Sequence, residues 1–224
     1  MSDYYSKKLS SNLLKRCYDI APERVQQYLE SEVSFVIEHI NKSDSVLELG
    51  CGYGRVLRKL LSCASNIVGI DISQESLGLA KEYTRKDLRC DLVQGSAEKL
   101  PFSENSIDKV VCIQNGISAF KVDPKELIQE SIHVTKPGGM CLFSSYSPNF
   151  WDHRLEWFKM QAEEGLLGEI DWNQTKEGVI CCKDGFKATT FAESDFIDII
   201  SQLNLDAYVV EIDSSSVFCV INCN

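Results

Sequence analysis

Apolar residues along this chain gather in short runs, and stretches of helical spacing separate one run from the next. Residues 46–49 form the first run, which closes on glycines. Val56, Leu57, Leu60 and Leu61 then recur three and four positions apart, the spacing of one helix face. Residues 67–70 predict a second buried strand, and Ser73 stands where a helix running to about Lys86 needs its N-cap. A brief third strand is expected at 92–94. A fourth, rich in β-branched residues, is expected at 107–113. Asp123, Pro124 and Glu126 combine a cap, a proline at the first helical position and an early acid. They predict a helix to about Thr135 that stops at Lys136, Pro137, Gly138 and Gly139, with a fifth strand over 140–145. Apolar strands separated by helices imply a parallel sheet covered on both faces.

Two stretches break that rhythm. Residues 1–41 hold a helix from about Pro22, with Val25, Leu29, Val33, Val36 and Ile40 on one face. Residues 148–190 read as an insertion dense in aromatics (Phe150, Trp151, Trp157, Phe158, Trp172), ending in a hairpin about Asp184 and Gly185. Phe196, Ile199, Ile200 and Leu203 mark a last helix, followed by strands at 208–212 and 217–221. The few residues between those strands fit only an antiparallel hairpin.

Charge narrows the partners. The 224 residues include 33 acids against 23 Lys and Arg, a net charge of −10. Nucleic-acid binders draw most of their affinity from basic surfaces. The nearest approach here is Lys81, Arg85, Lys86 and Arg89, which spacing places along one exposed helix side and which reads as a solvated face. No nucleic-acid partner is expected. No apolar run approaches the roughly 18 residues of a membrane span, and the first residues lack the apolar stretch of a secretory signal. The expected location is cytoplasmic, with no membrane partner. Ten cysteines are an even number, but none forms a C-x-x-C pair, and Cys112, Cys141 and Cys219 sit inside apolar runs, as small hydrophobes do. The three histidines, at 39, 133 and 153, are scattered, so no metal site is expected.

The chemistry concentrates at Gly50, Gly52 and Gly54, between the first strand and the first helix of the sheet. Such a loop lets backbone approach a ligand and aims helix N–H groups at it. A Walker phosphate loop needs Lys and then Ser or Thr after its last glycine; here Arg55 and Val56 follow. That reading fails. A dinucleotide loop places its third glycine at position 55, which is Arg, and is weakened. Asp71 at the end of the second strand suits either kind of nucleoside.

The remaining class is S-adenosylmethionine. Over residues 44–146 the chain resembles the class I S-adenosylmethionine-dependent methyltransferases. Glu48 with Gly50, Cys51, Gly52 and Gly54 is similar to the family's first motif, which wraps the methionine end of the cofactor. Asp71 matches the acid that takes the ribose hydroxyls, and Ile72 its apolar neighbour against the adenine. Ser96, Ala97 and Glu98 resemble the adenine-edge segment, which more usually carries Asp where this chain has Ser96. Gln114 matches the fourth-strand motif at the cofactor rim, and Lys136 to Gly139 the turn before the fifth strand. Tyr18 and Tyr28 resemble residues of a lid helix, placed to donate to the methionine carboxylate or pack on the sulfonium.

The resemblance implies a Rossmann-like, doubly wound α/β domain of seven strands in the order 3-2-1-4-5-7-6, with strand seven antiparallel. Its parts are an N-terminal helical lid (1–41), a cofactor-binding core (42–147), a substrate-side insertion (148–190) and a C-terminal helix and hairpin (191–224). It further implies methyl transfer to a small-molecule acceptor. Methylation of a protein side chain or tRNA, or a cofactor-binding regulatory subunit without catalysis, stay open. So do the acceptor atom and the oligomeric state. The sulfonium supplies activation, so positioning matters more than a base. The candidates for reaching the acceptor are Asn115 and Tyr146, at the ends of strands four and five, and His153, whose titration range and neighbour Asp152 suit a general base.

Overall fold

The computed structural model describes residues 11–85 and 87–224; the first ten residues of the expected lid, and Lys86, lie outside the described residues. Two helices, α1 (Ser11–Asp19) and α2 (Glu23–Glu38), precede the sheet. The sheet then alternates β1 (Ser45–Leu49), α3 (Arg55–Leu60), β2 (Asn66–Asp71), α4 (Gln74–Tyr83), β3 (Cys90–Gln94) and β4 (Ile107–Cys112). A short α5 (Gly116–Ala119), α6 (Pro124–Val134) and β5 (Thr135–Tyr146) complete that half. Beyond it lie α7 (Trp151–Glu163), a small hairpin β6 (Val179–Cys181) and β7 (Lys187–Thr189), then α8 (Glu193–Leu203), β8 (Ala207–Ile212) and β9 (Ser216–Asn222).

The seven strands lie in the order β3-β2-β1-β4-β5-β9-β8, with β9 antiparallel to both its neighbours. This is the anticipated order, β8 and β9 being strands six and seven. Successive side chains on a strand face opposite ways, so each strand serves two cores. Leu47, Val110, Phe143 and Cys219 pack on one face with Leu127 and Ile128 of α6 and Phe196 of α8. Val46, Val111, Leu142 and Phe218 pack on the other with Val36 of α2 and Val56, Leu57 and Leu60 of α3. The turn into β9 is a left-handed pair, Asp213 (φ 53°) and Ser214 (φ 47°), the geometry that matches strand twist in a tight hairpin.

A third core stands above the carboxyl edge of the sheet. Val25, Tyr28 and Leu29 of α2 meet Phe150, Trp157 and Phe158, and Ile180 and Phe186 of the small hairpin. Trp157 Nε1 donates to the carbonyl of Cys17 at 2.9 Å. The N-terminal helices and the insertion therefore pack on each other. Arg24 fastens them to the sheet, donating to the Asp213 carboxylate at 2.7 Å.

Three details differ from the sequence reading. Helix α4 ends at Tyr83, short of Lys86, because the Thr84 hydroxyl caps the Ala80 carbonyl and Arg85 turns left-handed at φ 56°. Arg85 and Arg89 thus lie beyond the helix, and Arg89 pairs with Asp87, so the expected basic side is not a continuous stripe. The Lys136 to Gly139 segment is not a separate turn. It forms the irregular start of β5, where the register against β4 shifts between Ile107 and Lys109.

Gly69 on β2 explains how α3 lies so close to the sheet. A Cβ built there would come within 2.6 Å of Leu57 Cδ1 and 2.7 Å of Cys51 Sγ. Gly69→Ala should therefore destabilise the fold by about 1–3 kcal/mol through overpacking. Urea unfolding should show a lower midpoint at unchanged slope. A wild-type midpoint would mean that α3 has room to move away.

Candidate functional site

A cavity of about 670 Å³ opens over the carboxyl ends of the central strands, between the sheet, helix α1 and the insertion. The glycine loop forms its floor. Gly50, Gly52 and Gly54 all take positive φ, at 70°, 52° and 81°, which glycine alone adopts without cost. The Gly50 and Cys51 amides both donate to the carbonyl of Ile70 at the end of β2. Asp71 then ties the loop to the next helix. Its Oδ2 accepts from the Gly52 amide and its Oδ1 from the Ser73 amide, each at 2.8 Å.

The wall beside the loop carries buried polar groups. Glu48 lines the cavity, and burial pushes its carboxyl up to about 8, against the pull of the Arg55 guanidinium. Its Oε2 finds no hydrogen-bond partner among the described residues, nor do Arg55 Nε and Nη2 or Gln114 Nε2. Arg55 lies 5.0 Å over the Tyr18 ring, and the Tyr18 hydroxyl donates to Gln114 Oε1 at 3.2 Å. Buried polar atoms normally have partners. A run of unsatisfied acceptor and donors on one cavity wall is complementary to a ligand bearing both an ammonium and a carboxylate.

The other predicted residues divide cleanly. Cys51, Ile72, Ser96, Ala97 and Glu98 all line the cavity, Ile72 as an exposed apolar side chain at its rim. Ser96 Oγ accepts from the Glu98 amide at 3.2 Å. Asn115 also lines it, with both amide atoms engaged: Nδ2 donates to the Thr189 carbonyl at 2.9 Å, and Oδ1 accepts from Ser145 Oγ at 2.7 Å. Tyr146 also lines the cavity, with Trp157, Phe158 and Phe186. Its ring lies 4.4 Å beneath the guanidinium of Arg154.

Two expectations are corrected. Tyr28 does not line the cavity; it is fully buried, with its ring 5.2 Å from Tyr146 and 5.0 Å from Phe150. It belongs to the inner face of α2, with Val25, Leu29, Glu32, Val33 and Val36. His153 is exposed and also outside the cavity lining. The inward face of α7 is Arg154, Trp157, Phe158 and Gln161, and a residue one step from that face points about 100° away.

Sequence reasoning passed over two residues. Arg55 was read only as a mismatch to other loops, although a cation just after the last loop glycine already hinted at a ligand contact. Glu32 interrupts an otherwise apolar helix face, and that interruption was the available signal.

A doubly wound sheet with its cavity at the carboxyl edge, floored by a glycine loop and an acid at the end of β2, defines an α/β protein that binds a nucleoside-bearing ligand. Comparison with known proteins makes this specific. A family model described as a methyltransferase domain matches residues 46–139. An uncharacterised methyltransferase of Synechocystis is 34% identical over 154 residues, covering 66% of this chain and 68% of its own. The 24-methylenesterol C-methyltransferase 2 of Arabidopsis thaliana is 30% identical over 116 residues, 50% of this chain and 32% of that protein. The matches thus span from about a third to about two thirds of the lengths of these relatives. The crystal structure of a SAM-dependent methyltransferase from Methanosarcina mazei superposes with a TM-score of 0.60 at 21% identity, over 84% of this chain and 94% of that one. The chain belongs to the S-adenosylmethionine-dependent methyltransferase family. The family's cofactor is S-adenosylmethionine, whose zwitterionic end fits the unsatisfied wall formed by Glu48, Arg55 and Gln114. Among the described residues no helix is long and apolar enough to cross a membrane.

The geometry yields two expected outcomes. His153→Ala, a surface change, should alter stability by less than about 0.5 kcal/mol and leave cofactor binding unchanged. A loss of turnover of about 10²–10⁴ with cofactor binding intact would return His153 to the site as a base. Glu48 titrates well above its unfolded value, so the folded state holds its proton where the unfolded state has released it. Its effect is to lower stability as pH rises from about 4.5, fully so above about 8. Glu48→Gln should flatten that decline in pH-dependent unfolding of the ligand-free protein; an unchanged slope would show that Glu48 ionises freely.

Proposed function

We propose that this chain transfers a methyl group from S-adenosylmethionine to a small, neutral or cationic acceptor enclosed beneath the lid. The observation that carries the reading is the cavity's lining, which joins buried, unsatisfied polar groups (Glu48, Arg55, Gln114) to aromatic side chains (Tyr146, Trp157, Phe158, Phe186). On this reading Asp71 accepts the ribose hydroxyls, Ile72 lies against the adenine, and Ser96 to Glu98 border its edge. Glu48 faces the ammonium, and Arg55 and Gln114 donate to the carboxylate. Tyr18 closes over that end from α1.

When bound, the cofactor supplies a methyl group already activated by the sulfonium. The protein's part is to hold the acceptor in line and keep water out. Tyr146, Trp157, Phe158 and Phe186 form an apolar slot for the acceptor, with Gln161 as its polar end. Asn115 is pinned at both amide atoms and serves as a fixed positioning group rather than a proton acceptor. The net charge of −10 favours neutral or cationic acceptors over polyanions. The sterol named for the Arabidopsis relative is an acceptor of the apolar, small-molecule kind.

S-adenosylmethionine at about 100 times its dissociation constant should stabilise the protein by roughly 2.7 kcal/mol in thermal unfolding. Stabilisation by NAD alone would overturn the assignment. Asp71→Ala should weaken cofactor binding by about 1.5–3 kcal/mol, through loss of charge-assisted hydrogen bonds. Affinity equal to wild type would remove Asp71 from the ribose. For the acceptor, release of S-adenosylhomocysteine should follow addition of fractionated metabolite pools. Multiple turnover on bulk tRNA or protein, with inert metabolite pools, would transfer the reading to a macromolecular substrate.

A further inference from the structure

We propose that Glu32 is a positioning residue for this site: from lid helix α2 it holds the left-handed Gln114–Asn115 turn and thereby couples lid closure to the cavity wall. The proposal rests on the cavity being the cofactor and methyl-transfer site.

Glu32 is fully buried on the inner face of α2, yet it is not a cavity-lining residue. Its Oε2 accepts from the Gln114 amide at 2.8 Å, and its Oε1 accepts from Ser216 Oγ at 2.6 Å. One carboxylate thus joins the lid, the end of β4 and the start of β9. The Ser144 hydroxyl of β5 faces the same group and shares the Gln114 amide at 2.9 Å.

The turn it holds is costly. Gln114 (φ 56°) and Asn115 (φ 64°) are consecutive non-glycine residues in the left-handed region, where Cβ crowds the backbone. Such a conformation persists only where its surroundings over-determine it. Asn115 is fixed through its side chain by Ser145 and Thr189, as described above. Gln114 is fixed through its amide by Glu32 and through its side chain by Tyr18. Two of the three elements that hold Gln114 therefore belong to the lid. The turn presents the unsatisfied Nε2 of Gln114 and the pinned Asn115 to the cavity, so displacement of α2 would take the carboxylate from the Gln114 amide and loosen the turn at that residue.

The environment makes this link sensitive to protons. Burial pushes Glu32 up to about 7, while Ser216, Ser144, the Gln114 amide and Arg55 of α3 hold it down. Tyr18 of α1, Tyr28 of α2, Cys112 of β4 and Tyr146 of β5 also face it, and burial keeps each of these protonated through neutral pH. Above about 7 the carboxylate is a charged double acceptor; below it, one oxygen becomes a donor and the hold on the turn weakens. Cofactor affinity should then fall as pH is lowered.

The test compares wild type, Glu32→Gln and Glu32→Ala. It follows S-adenosylhomocysteine binding by calorimetry across neutral pH, and amide exchange over residues 113–117. Wild-type affinity should drop several-fold, up to about tenfold, as pH falls through about 7. Glu32→Gln keeps the shape and one acceptor but cannot ionise, so it should lose the part of that limb near 7, keep the Glu48 part near 8, and retain slow exchange at 113–117. Glu32→Ala should bind about tenfold more weakly at all pH values and exchange about tenfold faster over that segment. A wild-type pH limb in Glu32→Gln, the near-isosteric variant, would overturn the proposal. So would binding that is equal in all three proteins at every pH, with the reading of the cavity left intact. A wild type that binds no S-adenosylhomocysteine would overturn that reading and this proposal together.

Discussion

Charge withdrawn from water at the carboxyl edge of the sheet is the constraint around which the rest of this structure is arranged. Glu32 and Glu48 are both buried there, and a buried carboxylate must be protonated, paired or hydrogen-bonded. The chain meets that demand in two ways. Glu32 receives a backbone amide and a serine hydroxyl, and is closed off under the lid. Glu48 is left with an open oxygen facing the cavity. Similar residues at similar depth are thus divided into a strut and a receptor. The division follows from which carboxylate the left-handed turn after β4 turns its amide toward.

The same edge explains why the glycine loop needs Gly69 beneath it and Asp71 beside it. Close approach of α3 lowers the loop onto the sheet, and the two amide hydrogen bonds of Asp71 keep the loop and the start of α4 in one register. Asp71 is therefore both a structural clamp and a group whose carboxylate borders the cavity. Removing it would loosen the floor as well as delete a contact.

Elements built from local pattern were legible before any coordinates. The β1–Gly50 junction, the Ser73 cap, the Asp123 and Pro124 helix start and the Asp184–Gly185 turn depend on neighbours within four residues, and the chain spells them out. That Glu48, Gly50, Asp71, Ser96 and Gln114 share one cavity was legible for the same reason, since they sit at strand ends that topology brings to one edge. What pattern did not disclose was orientation on the lid. His153 and Arg154 are adjacent in sequence and both polar, so nothing local says which faces inward. Only the packing of α7 on Phe186 and α2 decides it. Tyr28 was misread because an amphipathic helix shows which residues turn inward, not whether they meet a cavity or another side chain. Glu32 depended on Ser216, far along the chain, and no window of sequence contains both.

That separation has a consequence for how the protein is made. Helix α2 is fastened through Arg24 and Glu32 to the turn of the last hairpin and the first residue of β9, at Asp213 and Ser216. Synthesis proceeds from the N-terminus, and contacts between distant segments form late because long loops must close first. A nascent chain carries its whole glycine loop, and both carboxylates, while β9 is still missing from the middle of the β5–β8 side of the sheet. Until that strand inserts, α2 has neither its ion pair nor its serine, and Glu32 stands in water. Completion of the fold around the binding cavity is thereby deferred until β9 has been made, so an intermediate that lacks β9 has the recognition motif without the fastening of α2.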